Sequence, residues 1–343
     1  MPSRGLNLKT YKAFIWIIVS ACFLLIFFFS LILGSYHLSP MVVAQTLLSP
    51  LIPAWQSQVA EVARSIVFQI RLPRIIMAIV VGCGLALSGA SLQALFRNPL
   101  VNEYLLGLSS GAAFGASLSL VFFGPRVPVQ VSAFIFSLVA VFIVLWVSRS
   151  TGGSIVSLLL TGVIVSAFFS ALLTVVEYLA SPYALQALFF WLMGSFSLAG
   201  WREVAMTLPA IFLAAFLLFL FRWRLNLLSL SEEEGRSLGI NVRREKYLVV
   251  GLATLMTSVA VAAVGIIGWI GLIVPHLARM MVGADNRRVL PLSALLGATI
   301  LLAADDLARS LTSFEIPVGI FTSLIGIPLF IYLLKKSARI WLS

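Results

Sequence analysis

Apolar runs of about 20 residues, the length needed to cross a hydrocarbon layer, recur along this chain and leave it little choice but a membrane. They lie near 13–33, 75–95, 105–123, 127–147, 155–176, 204–221, 248–270, 289–304 and 318–334. A shorter tenth piece, 275–282, is expected to be a helix started by Pro275 and buried among its neighbours, since unpaired backbone cannot face lipid. Soluble domains carry about 25% charged residues. This chain carries 10%, against 61% hydrophobic, and its mean hydropathy is +1.09. The sequence reads as one all-α integral membrane domain over residues 1–343, with about ten transmembrane helices, one of them short.

The first run follows Arg4, Lys9 and Lys12, is longer than a signal-peptide core and has no small-residue cleavage site behind it, so it is expected to remain as a helix. With both termini cytoplasmic, sixteen of the 23 Lys and Arg fall inside and six outside, leaving Arg279 near the inner end of the short helix. That asymmetry satisfies the positive-inside rule. The net charge of +11 therefore belongs to span flanks that meet anionic lipid or a partner, and does not point to nucleic acid. Cys22 and Cys83 fall within spans and read as small apolar packers.

Residues 34–63 read as an outer loop with a short helix. Gly82, Ala86 and Ala90 form a small-residue stripe for close helix packing. Gly107, Gly111 and Gly115, at i, i+4 and i+8, leave one helix face bare, which suits either tight contact or the wall of a conduit. Residues 149–157 form a Gly- and Ser-rich break that Gly152 and Gly153 make mobile. Residues 222–246 are the one long hydrophilic segment. There Ser231 offers a helix cap, Glu232, Glu233 and Glu234 suit the positive end of the helix dipole, and Gly239 supplies a stop. A docking helix and a solvated loop are both compatible with that pattern.

No G-x-x-x-x-G-K-[ST] loop, H-E-x-x-H pair or Cys/His cluster occurs, and the histidines are His37 and His276. The chain is read as a transporter and not an enzyme. Asp305, Asp306 and Glu177 are the acids available for an intramembrane proton relay, but Asp305 and Arg309, four apart on one helix face, more simply form an ion pair. The rival of another class is a self-sufficient secondary carrier or channel.

The ordered motifs Arg71-Leu72-Pro73-Arg74, Arg97-Asn98-Pro99-Leu100, Gly107 to Gly115, Trp191 with Gly194-Ser195, Ser237-Leu238-Gly239, Gly271-Leu272-Ile273-Val274-Pro275-His276 with Arg279, Asp305 with Arg309, and Glu315-Ile316-Pro317-Val318-Gly319 cover nearly the whole chain. In these it resembles the permease subunit of the iron-siderophore, haem and cobalamin ABC importers. The resemblance implies ten helices, pairing with a second permease subunit, two separate ATP-binding subunits that hold ATP and Mg, a periplasmic or lipid-anchored substrate-binding protein, and a bacterial inner-membrane location. No cofactor is implied in this chain. Asn102-Glu103-Tyr104 and Gly235-Arg236 depart from the family pattern, both at the expected cytoplasmic side.

By the same resemblance, Arg71, Arg74 and Arg309 are expected at the outer rim, receiving acidic knobs of the binding protein. Leu230, Glu232, Glu233, Glu234, Ser237, Leu238 and Gly239 are expected to couple to the ATPases within 222–246. The gate is placed at Ser154, Ile155, Val156 and Ser157, with Gly107 and Gly111 along the pathway. His276 reads as a hydrogen-bonding residue at a helix start, against a metal or haem ligand.

Overall fold

A computed structural model describes residues 8–34, 36–52, 55, 60–230, 232–239, 241–312 and 314–341. In chain order the helices are α1 (Leu8–Ile32), α2 (Pro40–Leu48), α3 (Glu61–Phe96), α4 (Leu108–Arg126), α5 (Val129–Ser150), α6 (Ile155–Leu179), α7 (Pro182–Leu192), α8 (Trp201–Leu228), α9 (Glu232–Ser237), α10 (Val242–Val264), α11 (Ile270–Val282), α12 (Asn286–Ser310) and α13 (Val318–Trp341). Among the described residues eight helices are long and apolar enough to span a membrane, and α7, α11 and the first part of α13 are shorter apolar helices. No strand occurs among them.

The bundle is built around α3, which packs on α8, α10, α11 and α12 and is buried almost continuously from Gly84 to Phe96. Glycines make this possible. A methyl group on Gly82 would stand 2.4 Å from the Gly297 carbonyl oxygen of α12, and one on Gly89 would stand 1.9 Å from the Gly271 oxygen of α11. The backbones touch there, as small residues in membrane helices allow. On the other flank α4 lies on α5 through Gly111 and Gly115, whose added methyl groups would be 2.5 Å from the Phe136 oxygen and 2.3 Å from the Ser132 oxygen.

Three boundaries differ from the sequence reading. The helix α10 stops at Val264, because Gly265 turns left-handed at φ 77° and donates its N–H to the Val261 carbonyl. Residues 265–269 are then non-helical, and Trp269, at φ 75°, leads into α11. The short helix therefore begins at Ile270, with Pro275 inside it. Proline has no N–H to offer the carbonyl four residues back. The Gln93 amide of α3 serves in its place, donating to the Gly271 and Leu272 carbonyls at 3.3 and 3.1 Å, the kind of substitution that lets proline persist in membrane helices. Lastly, helix enters both ends of the hydrophilic segment 222–246, since α8 runs on to Leu228 and α10 already starts at Val242.

Candidate translocation and coupling sites

Arg71, Arg74 and Arg309, which the resemblance expects at the outer rim, lie together at one end of the bundle and are buried. Their exposures are 3%, 6% and 4%, and each is held inside the chain. The last carbonyls of a helix lack intrahelical partners, and at the end of α1 arginines supply them. Arg71 donates to the Leu31, Ile32 and Tyr36 carbonyls at 2.5, 2.9 and 2.6 Å. Arg309 donates to the Ser30 and Leu33 carbonyls at 2.5 and 2.9 Å. Cations also suit the negative end of the helix dipole.

Arg74 forms a fork with Asp305, through Nε to Oδ2 at 3.0 Å and Nη2 to Oδ1 at 2.9 Å, and reaches Glu315 at 2.7 Å. Such two-point contact is what a planar guanidinium gives a carboxylate. Arg309 pairs chiefly with Asp306, three residues back, at 2.5 Å, while its contact with Asp305 is 3.7 Å. The expected Asp305–Arg309 pair is thus secondary, because Asp305 is already engaged by Arg74. Ser30 donates to the other Asp306 oxygen at 2.5 Å, and Ser197 donates to Glu315. Burial pushes Glu315 up, but the Ser197 and Arg74 hydrogen bonds and the Arg74 and Arg309 charges together hold it below the ordinary carboxylate value. This cluster ties α1, α3, α12 and the segments before α8 and α13 at one end of the bundle.

At the opposite end α8 and α10 are cross-tied. Arg224 meets Glu245 at 2.6 Å. Asn226 donates to Asp285 at 2.7 Å and accepts from the Asn286 N–H at 2.8 Å. Although its partial burial acts upward, the Asn226 and Arg287 hydrogen bonds and the Arg287 and Arg288 charges hold Asp285 below its ordinary value. Between these tied ends sits α9, a six-residue helix, flanked by Leu230 and Leu238, which are 39% and 57% exposed. Glu234, Ser237 and Gly239 are exposed there too. The Ser231 cap lies outside the described residues, as do the side chains of Glu232 and Glu233.

The break between α5 and α6 is short. Gly152 and Gly153 are both left-handed, at φ 92° and 67°. Ser154 then caps α6, accepting the Ser157 N–H at 3.1 Å, and Thr151 and Ser157 share a hydrogen bond of 2.5 Å between their hydroxyls. Ile155 is half-buried and Val156 is 63% exposed. Lys246 of α10 donates to the Gly153 carbonyl at 2.5 Å. Gly107 and Gly111 lie in helix–helix contacts. Gly111 is filled by α5, and Gly107, left-handed at φ 74°, lies against Val165 and Ser166 of α6. Of the two readings of the bare face, contact is the one realised.

Three buried polar residues were missed as site candidates. Gln93 accepts from Arg279 and so joins both ends of α11 to α3. Glu103, 1% exposed, lies inside the bundle against Gly271, where an added methyl group would be 1.8 Å from its Oε2; it is not on a partner-facing surface. Lys246, 4% exposed, looks in the sequence like any other charge flanking a span. A proline four residues after Gly271 was the one available signal, since it announces a freed carbonyl. His276 lies within α11, not at its start, and is half-buried.

Eight span-length helices among the described residues, a short apolar helix packed against the central one and charged clusters at both ends fit a polytopic transport subunit. The chain belongs to the FecCD transport family, matching it over residues 22–336, a family of ABC importer permeases. It is 41% identical over 312 residues to the molybdate import system permease protein MolB of Haemophilus influenzae, covering 90% of this chain and 92% of that one. To the hemin transport system permease protein HmuU of Yersinia pestis it is 40% identical over 321 residues, with 92% and 94% covered. A solved structure described as an inward-facing conformation of a metal-chelate type ABC transporter superposes with a TM-score of 0.83 at 39% identity, covering 94% of this chain and 99% of that chain.

Proposed function

We propose that this chain is one half of a permease pair that imports an iron-siderophore or related metal chelate, such as haem or cobalamin, across a bacterial inner membrane. The basic end faces the cytoplasm, where residues 230–239 insert into a separate ATP-binding subunit. The opposite end receives cargo from a binding protein. The observation that carries this reading is the match of about four-fifths of the chain to permeases named for such cargo, an iron chelatin system of Helicobacter pylori (79% of this chain) and a cobalamin system of Halobacterium salinarum (82%). The relative named for molybdate makes a metal oxyanion the competitor to include.

The buried arginine cluster favours a docking surface made of other groups, with Arg71, Arg74 and Arg309 fixing the shape of the end on which it lies. Closing of the ATP-binding subunits then reaches the bundle as rigid-body movement of the α8–α9–α10 hairpin. The test is uptake into liposomes holding the pair with its ATP-binding subunits, given binding protein loaded with labelled iron chelates, haemin, cobalamin or molybdate. ATP-dependent accumulation of a chelate is the expected result. Accumulation of molybdate alone would overturn the cargo assignment, and uphill movement without the ATP-binding subunits would overturn the whole reading.

A further inference from the structure

The α8–α10 connection and the α5–α6 break are separate in sequence, and a polar contact from α10 brings them together. Lys246 stands in the first turns of α10 and is 4% exposed. Its ammonium reaches across to the Gly153 carbonyl at 2.5 Å. The break otherwise closes on itself: the Gly153 N–H returns to the Ser148 carbonyl at 2.8 Å and the Thr151 N–H to Val147 at 3.2 Å. Two consecutive left-handed glycines make this the point where the α5–α6 connection can change direction with least resistance. The Gly153 carbonyl is thus held by α10.

Lys246 follows directly on the residue that ties α10 to α8. Glu245, its neighbour in sequence, is 7% exposed and held by Arg224 of α8 at 2.6 Å. That ion pair links the ends of α8 and α10 that flank α9 into one piece. A push on α9 displaces that piece, and the bond from Lys246 is where it grips the start of α6. A charge-assisted bond from a buried lysine to a carbonyl is stronger than a neutral one, so it survives displacements that would part a neutral pair.

We propose that Lys246 is a positioning residue for transport, which transmits movement of the α8–α9–α10 hairpin to the hinge at Gly152-Gly153 and so to the first turn of α6. This rests on the reading that residues 230–239 couple to the ATP-binding subunits and that 154–157 form the gate.

The test uses the assembled transporter in liposomes, measuring ATP hydrolysed and chelate accumulated together. Lys246→Met is expected to keep hydrolysis while transport per ATP falls about tenfold or more, the factor set by losing one charge-assisted bond. Lys246→Arg, which keeps a cation of similar reach, is expected to restore most of it. Gly235→Pro, which breaks α9, is the control. If it leaves coupling intact, the reading of 230–239 fails; if it uncouples while Lys246→Met does not, only the role of Lys246 fails. Should Lys246→Met not assemble, spin labels on exposed Val156 in the otherwise unaltered pair give the second measurement. Their distance across the pair is expected to change on adding ATP and to stay fixed in Gly235→Pro. A label that does not respond to ATP in the active transporter overturns the proposal.

Discussion

Replacing Arg74 by alanine separates a structural clamp from a docking cation. Asp305 has 0% side-chain exposure, and without Arg74 it retains only the Arg309 Nε at 3.7 Å. Removing one partner of a buried ion pair costs about 3–5 kcal/mol, because the other charge is left without compensation. An exposed rim pair would cost about 0.2–1 kcal/mol. Glu315 adds little, since its side chain is 38% exposed and water can replace the lost bond. The expected loss on Arg74→Ala is therefore about 3–5 kcal/mol, read as reversible unfolding of the purified chain in mixed micelles. Arg74→Ala combined with Asp305→Ala is expected to recover much of that loss, since no buried carboxylate then stands alone. Arg74→Lys, which keeps the charge and loses the fork, is expected to fall between. A single-mutant loss below about 1 kcal/mol, or a double mutant that is merely additive, would refute the clamp. A docking cation would give the reverse pattern, with stability unchanged and binding-protein affinity lost.

Two further outcomes follow from particular contacts. Gly89→Ala places a methyl group 1.9 Å from the Gly271 carbonyl oxygen, whereas Gly251→Ala meets nothing within 4 Å. The first is expected to lose at least about 1–3 kcal/mol by overpacking and the second to be neutral or slightly stabilising, in the same unfolding measurement. Asp285 is held below its ordinary value, so its contribution to stability is complete above about pH 4 and is lost as pH falls through the lower folded-state value. Asp285→Asn is expected to flatten that acid limb in a melting-temperature series, and an unchanged slope would show that the Asn226 contact does not persist in solution.

The spans were legible because lipid imposes one rule on every residue that meets it: the segment must be apolar and must satisfy its own backbone. Helix ends were less legible where protein, not lipid, surrounds the chain. Residues 265–269 are as apolar as a span, yet the Gly265 turn releases them from the helix, and periodicity cannot tell a buried extended segment from a helix. In the other direction, α3 begins at Glu61, well before its apolar run, with a wider π turn over Ile66–Arg71. Its polar start is admissible because Arg71 and Arg74 find partners inside the bundle.

The charged residues show the same division. Their place near the ends of spans could be read from the one-dimensional pattern, and so could the segment joining α8 to α10. Whether an arginine faces water or a carbonyl could not, since that depends on α1, α3 and α12 arriving at one point from positions 30, 71, 74, 305 and 309. The sequence by itself determined that this is a bundle of membrane helices and which family it belongs to, because hydrophobic length and motif order are local properties. Only the tertiary structure decided that the arginine cluster is an internal clamp, that the glycine face is closed, and that Lys246 grips the break before α6. Those are outcomes of close approach between segments far apart in the chain, and burial there fixes which charges must be paired.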